Sequence, residues 1–500
     1  MSKAKPGLVR VGIFNLALRL LGSPISFLFS IIVARYLSAI SIETFGAWQS
    51  IFVLVTGYFT IPGDLLSNIT SRYTAEGKPV GGIIMFNLFS GILSSITYLI
   101  LVPYFVSVSH FNNPFYFDLG VLMIFIIYLM KSTNAISLGK GPRVNAIAAL
   151  TFQLSRLIVG VYLILVLKLS IEGVIVAYVA GYLAQITINL FFVKANLRND
   201  IRVAISAFKK SVVFIIPYVQ NVLEATLMWV AVPLVRNTVP VSYFESAQIV
   251  SNLVVWASSS TSGLISKLSE SKDPSLIETS LKLFSLSGSI FLLLALVDGV
   301  PLLYVLRPEY TAAYVSLIIL SISNLLRGFF QIFYTSVYMK DQTLAAESKE
   351  ELRGKLAELV KRNSVLSLMG AGVAIALMVI LNLSGKGNPI IYSVLISFGL
   401  LINSIAILFS TYKSSRDLYE FITPLREILS PVTTAIIIGL LFIFVPVLPS
   451  HGSGFVQDIL LMIYRAFIGG AIFLVINLGV NNYAREIARK VFKSLFRSLV

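Results

Sequence analysis

Residues 11–37 read VGIFNLALRLLGSPISFLFSIIVARYL, and the fold turns on how that run is taken. A helix rises 1.5 Å per residue, so about 20 apolar residues cross roughly 30 Å of hydrocarbon. The run is long enough. Taken as a membrane helix, it places Arg19 about eight residues past Val11, roughly 12 Å along the axis. A charge at a helix centre costs about 2.5–3.5 kcal/mol even on the mild insertion scale. Arg19 therefore needs something to hold.

The rest of the chain takes the same reading. Of 500 residues, 57% are hydrophobic and 12% charged, with a mean hydropathy of +0.87. A soluble domain carries about 25% charge. The pattern predicts an all-α polytopic membrane protein with about 14 transmembrane helices. The spans are 11–37, 44–66, 81–108, 118–138, 143–167, 172–194, 211–235, 243–266, 283–306, 311–339, 364–383, 389–412, 431–449 and 458–478. The opening MSKAKPGLVR resembles the basic region of a signal peptide, but the apolar run behind it is too long for one. It is taken as the start of the first membrane helix.

Lys and Arg number 39 against 23 Asp and Glu, a net charge of +16. In a soluble chain that excess points to nucleic acid. Here no nucleic-acid partner is expected, because about 29 of the cations fall in alternate loops and the tail, the asymmetry that marks cytoplasmic loops. These inner loops include RYTAEGK, GKGPR, KANLRNDIRVAISAFKK, KLSESKDPSLIETSLK and KSSRDLYEFITPLRE. The bias predicts a multi-pass protein of the cytoplasmic membrane with both termini in the cytoplasm.

Two further inner segments have the pattern of surface helices. Residues 344–362, LAAESKEELRGKLAELVKR, set Glu351 against Lys355 and Glu358 against Arg362 at i, i+4. The tail, YAREIARKVFKSLFRSLV, places Arg485, Arg489, Lys493 and Arg497 four apart, beside an apolar side of Ile487, Val491, Phe492, Leu495 and Phe496. That pattern suits a helix lying on anionic membrane lipids.

Enzyme chemistry finds little to work with. There is no cysteine, which excludes disulfides and thiolate metal sites, and the two histidines, His110 and His451, lie far apart in outer loops. No phosphate loop, GxSxG or HExxH occurs, and the short outer loops leave no room for an extracellular catalytic domain. The chain reads as a transporter, with no catalytic residue, metal or cofactor expected.

An internal repeat is legible at two corners. ARYLSAISIETFGAWQS ends the first span and opens the second; VRNTVPVSYFESAQI does the same for the seventh and eighth. Arg35 and Arg236 mark the outer interface, and Phe45 and Gln49 match Phe244 and Gln248. Repeated halves usually hold a transport site between them. The expected domains are a six-helix bundle over 1–205, a second over 206–412, and two extra helices with the basic tail over 413–500.

The charges within the spans supply the candidate site. Arg19, Lys131, Arg156, Arg327 and Arg465 stand against Glu224 and the interfacial Asp64 and Asp298, an apparent cationic excess. Such groups face counter-ions, carbonyls or water inside a bundle. An excess of Arg suits a phosphate ligand, because the guanidinium fork binds two oxygens at once. Arg19, Lys131, Arg156 and Arg327 are the candidates for diphosphate contact, with structural pairing as the other reading of each. Glu224 and Asp64 are counter-ions or coupling groups. Gly22-Ser23-Pro24, Pro62-Gly63, Pro217 and Pro233 are expected to interrupt the first, second and seventh helices.

Together these stretches resemble the polysaccharide flippase branch of the multidrug/oligosaccharidyl-lipid/polysaccharide exporter (MOP) superfamily. The likeness rests on LRLLGSPISFLFSIIVARYLSAISIETFGAWQS (18–50), RPEYTAAYVSLIILSISNLL (307–326) and SLGKGPRVNAI (137–147). The stretch GDLL at 63–66 departs from the family's second helix. The resemblance implies two six-helix bundles in a V around a central cavity. It also implies passage of a polyprenyl-(di)phosphate-linked saccharide for surface polysaccharide or glycan assembly, in company with glycan-assembly enzymes. Arg19 matches in position a first-helix Arg essential in the related lipid II flippases, whose two extra helices form a groove for the lipid tail. The alternative is a cation-coupled drug or metabolite antiporter of the same superfamily, which calls for an acidic cavity.

Overall fold

The computed structural model describes residues 8–111, 113–211, 219–261, 264, 268, 273–340, 354–444 and 455–497. In chain order its helices begin with α1 (Leu8–Ile40), α2 (Ile42–Leu54), α3 (Ile61–Ala75), α4 (Gly81–Ser109), α5 (Pro114–Lys140) and α6 (Pro142–Val161). Next come α7 (Ile171–Phe192), α8 (Ile201–Ser211), α9 (Val219–Val235), α10 (Val239–Ser251), α11 (Ser275–Val297) and α12 (Gly299–Leu306). The last six are α13 (Tyr314–Lys340), α14 (Lys355–Leu383), α15 (Pro389–Leu418), α16 (Leu425–Phe444), α17 (Phe455–Val480) and α18 (Asn482–Arg497).

Among the described residues, 11 helices are long and apolar enough to cross a membrane, and 12 if the bent pair of α2 and α3 counts as one span. The protein is an all-α polytopic membrane protein. The two other expected spans run over residues that are not described. The 211–235 span survives as α9, with 212–218 outside the described residues. The 243–266 span is broken: α10 ends at Ser251 and a 3-10 stretch, Val254–Thr261, follows.

Local chemistry sets the breaks. Asn113 caps α5 by accepting from the Phe115 amide at 3.2 Å, with Pro114 in the first turn, where its missing N–H is harmless. Ser41 caps α2 through the Thr44 amide at 3.0 Å. Pro142 at the start of α6 and the non-helical Gly141 before it divide α5 from α6. The prolines act less uniformly than expected. Pro24 and Pro233 lie inside α1 and α9 without ending them, whereas Pro62 follows a π-helical turn (Val55–Phe59) and the axis bends by 48° there. Pro217 lies outside the described residues.

The chain forms two compact units, Met1–Glu245 with Ser367–Ile396, and Ser246–Leu366 with Ser397–Val500. In the first unit α6 packs on α1 and α7, and α5 on α3, α4 and α7. One end is sealed by Leu66, Ile69, Tyr73, Val80, Ile83, Val193, Ala204 and Ala207. In the second, α11 is central and packs on α13, α16 and α17 through Phe284, Leu292, Leu296, Phe329, Ile438 and Phe473. Serines tie α13 to α15: Ser323 to Ser404 at 2.8 Å and Ser336 to Ser415 at 2.6 Å. Small hydroxylated residues suit helix contacts in lipid, where close backbone approach and hydrogen bonds replace the hydrophobic drive.

Two expectations about surface segments change. Residues 341–353, including Glu351, lie outside the described residues, while 355–362 run unbroken into the eleventh span as α14. Arg362 does not pair with Glu358. It donates to Ser410 Oγ at 2.7 Å, Ser410 O at 2.8 Å and Ser414 Oγ at 2.7 Å. An exposed i, i+4 pair is worth only about 0.3–0.5 kcal/mol, less than three charge-assisted bonds to half-buried acceptors. The segment taken as an inner loop at 194–210 contains a helix, α8.

Candidate functional site

The in-span charges of the first unit fall into separate clusters. At the bend between α2 and α3, Lys131 of α5 donates to Thr60 O at 2.8 Å, Thr60 Oγ1 at 3.0 Å and Asp64 Oδ2 at 2.5 Å. Tyr128, one turn earlier, donates to Phe59 O at 2.9 Å. A π-turn followed by proline disturbs the regular ladder of carbonyl acceptors, and α5 supplies donors to that segment. Lys131 is thus committed to the bend and to Asp64, which is its ion-pair partner.

Arg156 of α6 is treated differently. It is 5% exposed and donates through one terminal nitrogen to Ser26 Oγ at 2.9 Å and Gln153 Oε1 at 2.6 Å. Three rings enclose its guanidinium: Phe29 at 4.5 Å, Tyr178 at 4.7 Å and Phe152 at 4.9 Å. Ring faces attract a cation without neutralising it. Arg156 makes no ion pair among the described residues, and its buried Nε has no hydrogen-bond partner.

Glu224 on α9 lies within electrostatic reach of Glu245 on α10. Glu245 escaped the sequence reading, although it obeys the rule that singled out Glu224: a carboxylate within an expected span. It joins Glu224, Asp64 and Asp298 as a fourth carboxylate set against the five cations named above. Two residues along α9 from Glu224, Thr226 hydrogen-bonds Tyr58 of the π-helical turn at 2.9 Å.

The interfacial pair lies at the two repeat corners. Arg35 is exposed on α1, and Arg236, also exposed, follows α9 with a left-handed φ of 58°. The corners touch: Thr238 Oγ1 donates to Glu43 O at 2.8 Å and Ser242 Oγ to Ile42 O at 2.6 Å. Phe45 and Phe244 are both fully buried. Gly46 packs directly on the Thr238 carbonyl, leaving no room for a Cβ.

Arg327 is half-buried on α13 in the second unit. There Arg465 of α17, 5% exposed, donates to Val297 O at 2.7 Å and pairs with Asp298 at 3.6 Å. Arg19 is on α1, but its side chain lies outside the described residues.

With this geometry in view, the comparisons place the fold. The inward closed conformation of the lipid II flippase MurJ matches with a TM-score of 0.63 at 14% identity, over 92% of this chain and 98% of that one. The inward-facing conformation of a multidrug resistance MATE family transporter of the MOP superfamily gives 0.54 at 14%, over 81% and 98%. A MOP superfamily transporter from Pyrococcus furiosus, described by the reverse polarity of its binding pocket, gives 0.51 at 16%, over 82% and 95%. No family model matches the sequence, and no curated protein sequence matches it. The chain has the fold of the MOP superfamily of flippases and transporters.

Proposed function

We propose that this protein is a MOP-type flippase that moves a polyprenyl-(di)phosphate-linked oligosaccharide across the cytoplasmic membrane by alternating access. Its two bundles are residues 1–205 and 206–412, with 413–500 adding two helices and the basic tail. The observation that carries the reading is Arg156: a buried cation with rings, a hydroxyl and an amide around it, and no ion pair among the described residues. An uncompensated charge in low dielectric projects a strong field, which stabilises an anion in the membrane interior. Arg19 on α1 is the residue assigned to the diphosphate, and Arg327 on α13 is a further candidate for phosphate contact. Lys131 and Asp64 hold the bend of the second span. Glu224 with Glu245 is the coupling site. The outer corners at 41–46 and 238–242 part when the transporter opens outward. The tail helix α18, with Arg485 and Arg489 exposed, rests on anionic lipids, and glycan-assembly enzymes supply and consume the substrate.

One observation favours a second reading. Glu224 on α9 and Glu245 on α10 place two carboxylates within electrostatic reach of each other, a pairing that suits a cation or a proton. On that reading the protein is a cation-coupled antiporter of drugs or metabolites.

Thermal unfolding in nanodiscs separates the two. Addition of a polyprenyl-diphosphate saccharide stabilises the wild type, by about 2.7 kcal/mol at a hundredfold excess over Kd, and Arg19→Gln loses most of that shift. Stabilisation by organic cations, with none from the diphosphate lipid, contradicts the flippase reading.

A further inference from the structure

Helix α8 has three faces. At 3.6 residues per turn, Ala204, Ala207 and Ser211 share one side, and all three are buried. Ile201, Ile205 and Phe208 share the next, and they are 72%, 52% and 44% exposed. Exposed Arg202 lies further round, and exposed Lys194 and Arg198 precede the helix on the same segment.

The helix is pinned, so these faces are fixed in direction. Asp200 caps it through the amides of Arg202 at 3.0 Å and Val203 at 3.2 Å. The Val80 amide donates to Asn196 O at 2.9 Å, and the α4 glycines Gly81 and Gly82 pack on the carbonyls of Leu197 and Asp200. Phe208 packs on Phe86 at 4.9 Å, while Asn199 reaches Met85 at 3.3 Å. Met85 and Phe89, on the same first turns of α4, are 59% and 64% exposed. An apolar helix surface of this kind belongs to lipid, and the exposed side of α8 continues it. Arg72 and Lys78 lie at this same end of the first unit, both paired with Glu76, so with Lys194, Arg198 and Arg202 the cations there outnumber Glu76 and Asp200.

We propose that α8 is an in-plane anchor seated on anionic lipid headgroups of the cytoplasmic leaflet. Ile201, Ile205 and Phe208 enter the acyl boundary, and Lys194, Arg198 and Arg202 meet the headgroup phosphates. A helix with an apolar side and flanking cations binds such a surface through both terms together. The inference takes from the proposed function only its orientation, with the cation-rich end in the cytoplasm, and nothing about substrate.

The chain has no cysteine, so Ile205→Cys carries the only thiol label. Ile201→Cys is the second variant should the first fold poorly, and Lys386→Cys in an outer loop is the aqueous control. The expected result in nanodiscs containing phosphatidylglycerol is quenching of the 201 or 205 label by lipid-borne quenchers near the headgroup, with protection from iodide; the control behaves oppositely. Native mass spectrometry then reads anionic lipid retention, which falls about fivefold for each of Arg198→Gln and Arg202→Gln. A label at 201 and 205 that iodide reaches as readily as the control overturns the proposal. So does retention of phosphatidylglycerol that the Arg variants leave unchanged. Neither readout involves transport, so either failure leaves the flippase reading standing, and a failed diphosphate shift leaves this one standing.

Discussion

Arg156 and Arg465 are equally buried, each 5% exposed, but their surroundings differ in kind. Arg465 has Asp298 beside it and the Val297 carbonyl to bond, and it joins α17 to the end of α11. Arg156 has three aromatic rings, a serine and a glutamine. One cation is cancelled where it stands; the other is held in place with its charge intact. A paired charge in a membrane helix serves architecture, and an uncancelled one is available to an anion.

The largest expected effect breaks the paired side. Arg465→Leu leaves the Asp298 carboxylate buried alone and destabilises the protein by about 3–5 kcal/mol, read as a fall in Tm. The double variant Arg465→Leu/Asp298→Leu recovers most of that loss, because replacing both charges by apolar groups is close to neutral. A double variant no better than the single one shows that the pair does not hold this site.

Lys131→Met is next. It strips Asp64 of its partner and removes the ammonium donor to Thr60 O. Part of the pair reaches solvent, so the expected loss is about 2–3 kcal/mol, below that of the buried pair. Gly46→Ala follows, at about 1–3 kcal/mol, since its Cβ falls on the rigid Thr238 backbone and the corners must move apart. Thermal unfolding checks both.

Arg156→Gln sharpens the comparison from the other side. It loses ring contacts and two hydrogen bonds without stranding a carboxylate, so stability falls by only about 1–2 kcal/mol. Binding of a diphosphate lipid falls about tenfold or more, measured by titration in nanodiscs. A stability loss as large as that of Arg465→Leu removes the distinction between the two arginines.

The smallest effect is at Glu76, outside the spans, where Lys78 and then Arg72 hold the carboxyl below its usual range. A lowered folded pKa stabilises above the unfolded value, near 4.3, and that contribution disappears as pH falls through the folded value. Glu76 is exposed, so Glu76→Gln changes stability by less than about 0.5 kcal/mol at pH 7, and wild type and variant converge as pH falls below the folded value.

The spans were legible because apolar length is a one-dimensional signal. The corner residues Phe45 and Phe244 stood out in the same way, and both are buried. The partners of the charges were not. Lys131 and Asp64 are 67 positions apart, Arg465 and its carbonyl 168, and no sequence spacing encodes such meetings. Arg156 shows the same limit, since Phe29 and Tyr178 come from other helices. Glu245 and α8 were different: a carboxylate within a span, and Ile201, Ile205 and Phe208 at helical spacing behind Asp200, are signals the sequence contains.

The central claim is tested most directly by lipid flipping in proteoliposomes. A fluorescent polyprenyl-diphosphate saccharide is placed in one leaflet, and its appearance in the other is read by an impermeant quencher. The account predicts flipping by the wild type and a drop of about tenfold or more in Arg19→Gln and Arg156→Gln. Flipping at wild-type rate in both variants, or no flipping beside gradient-driven uptake of organic cations, contradicts it.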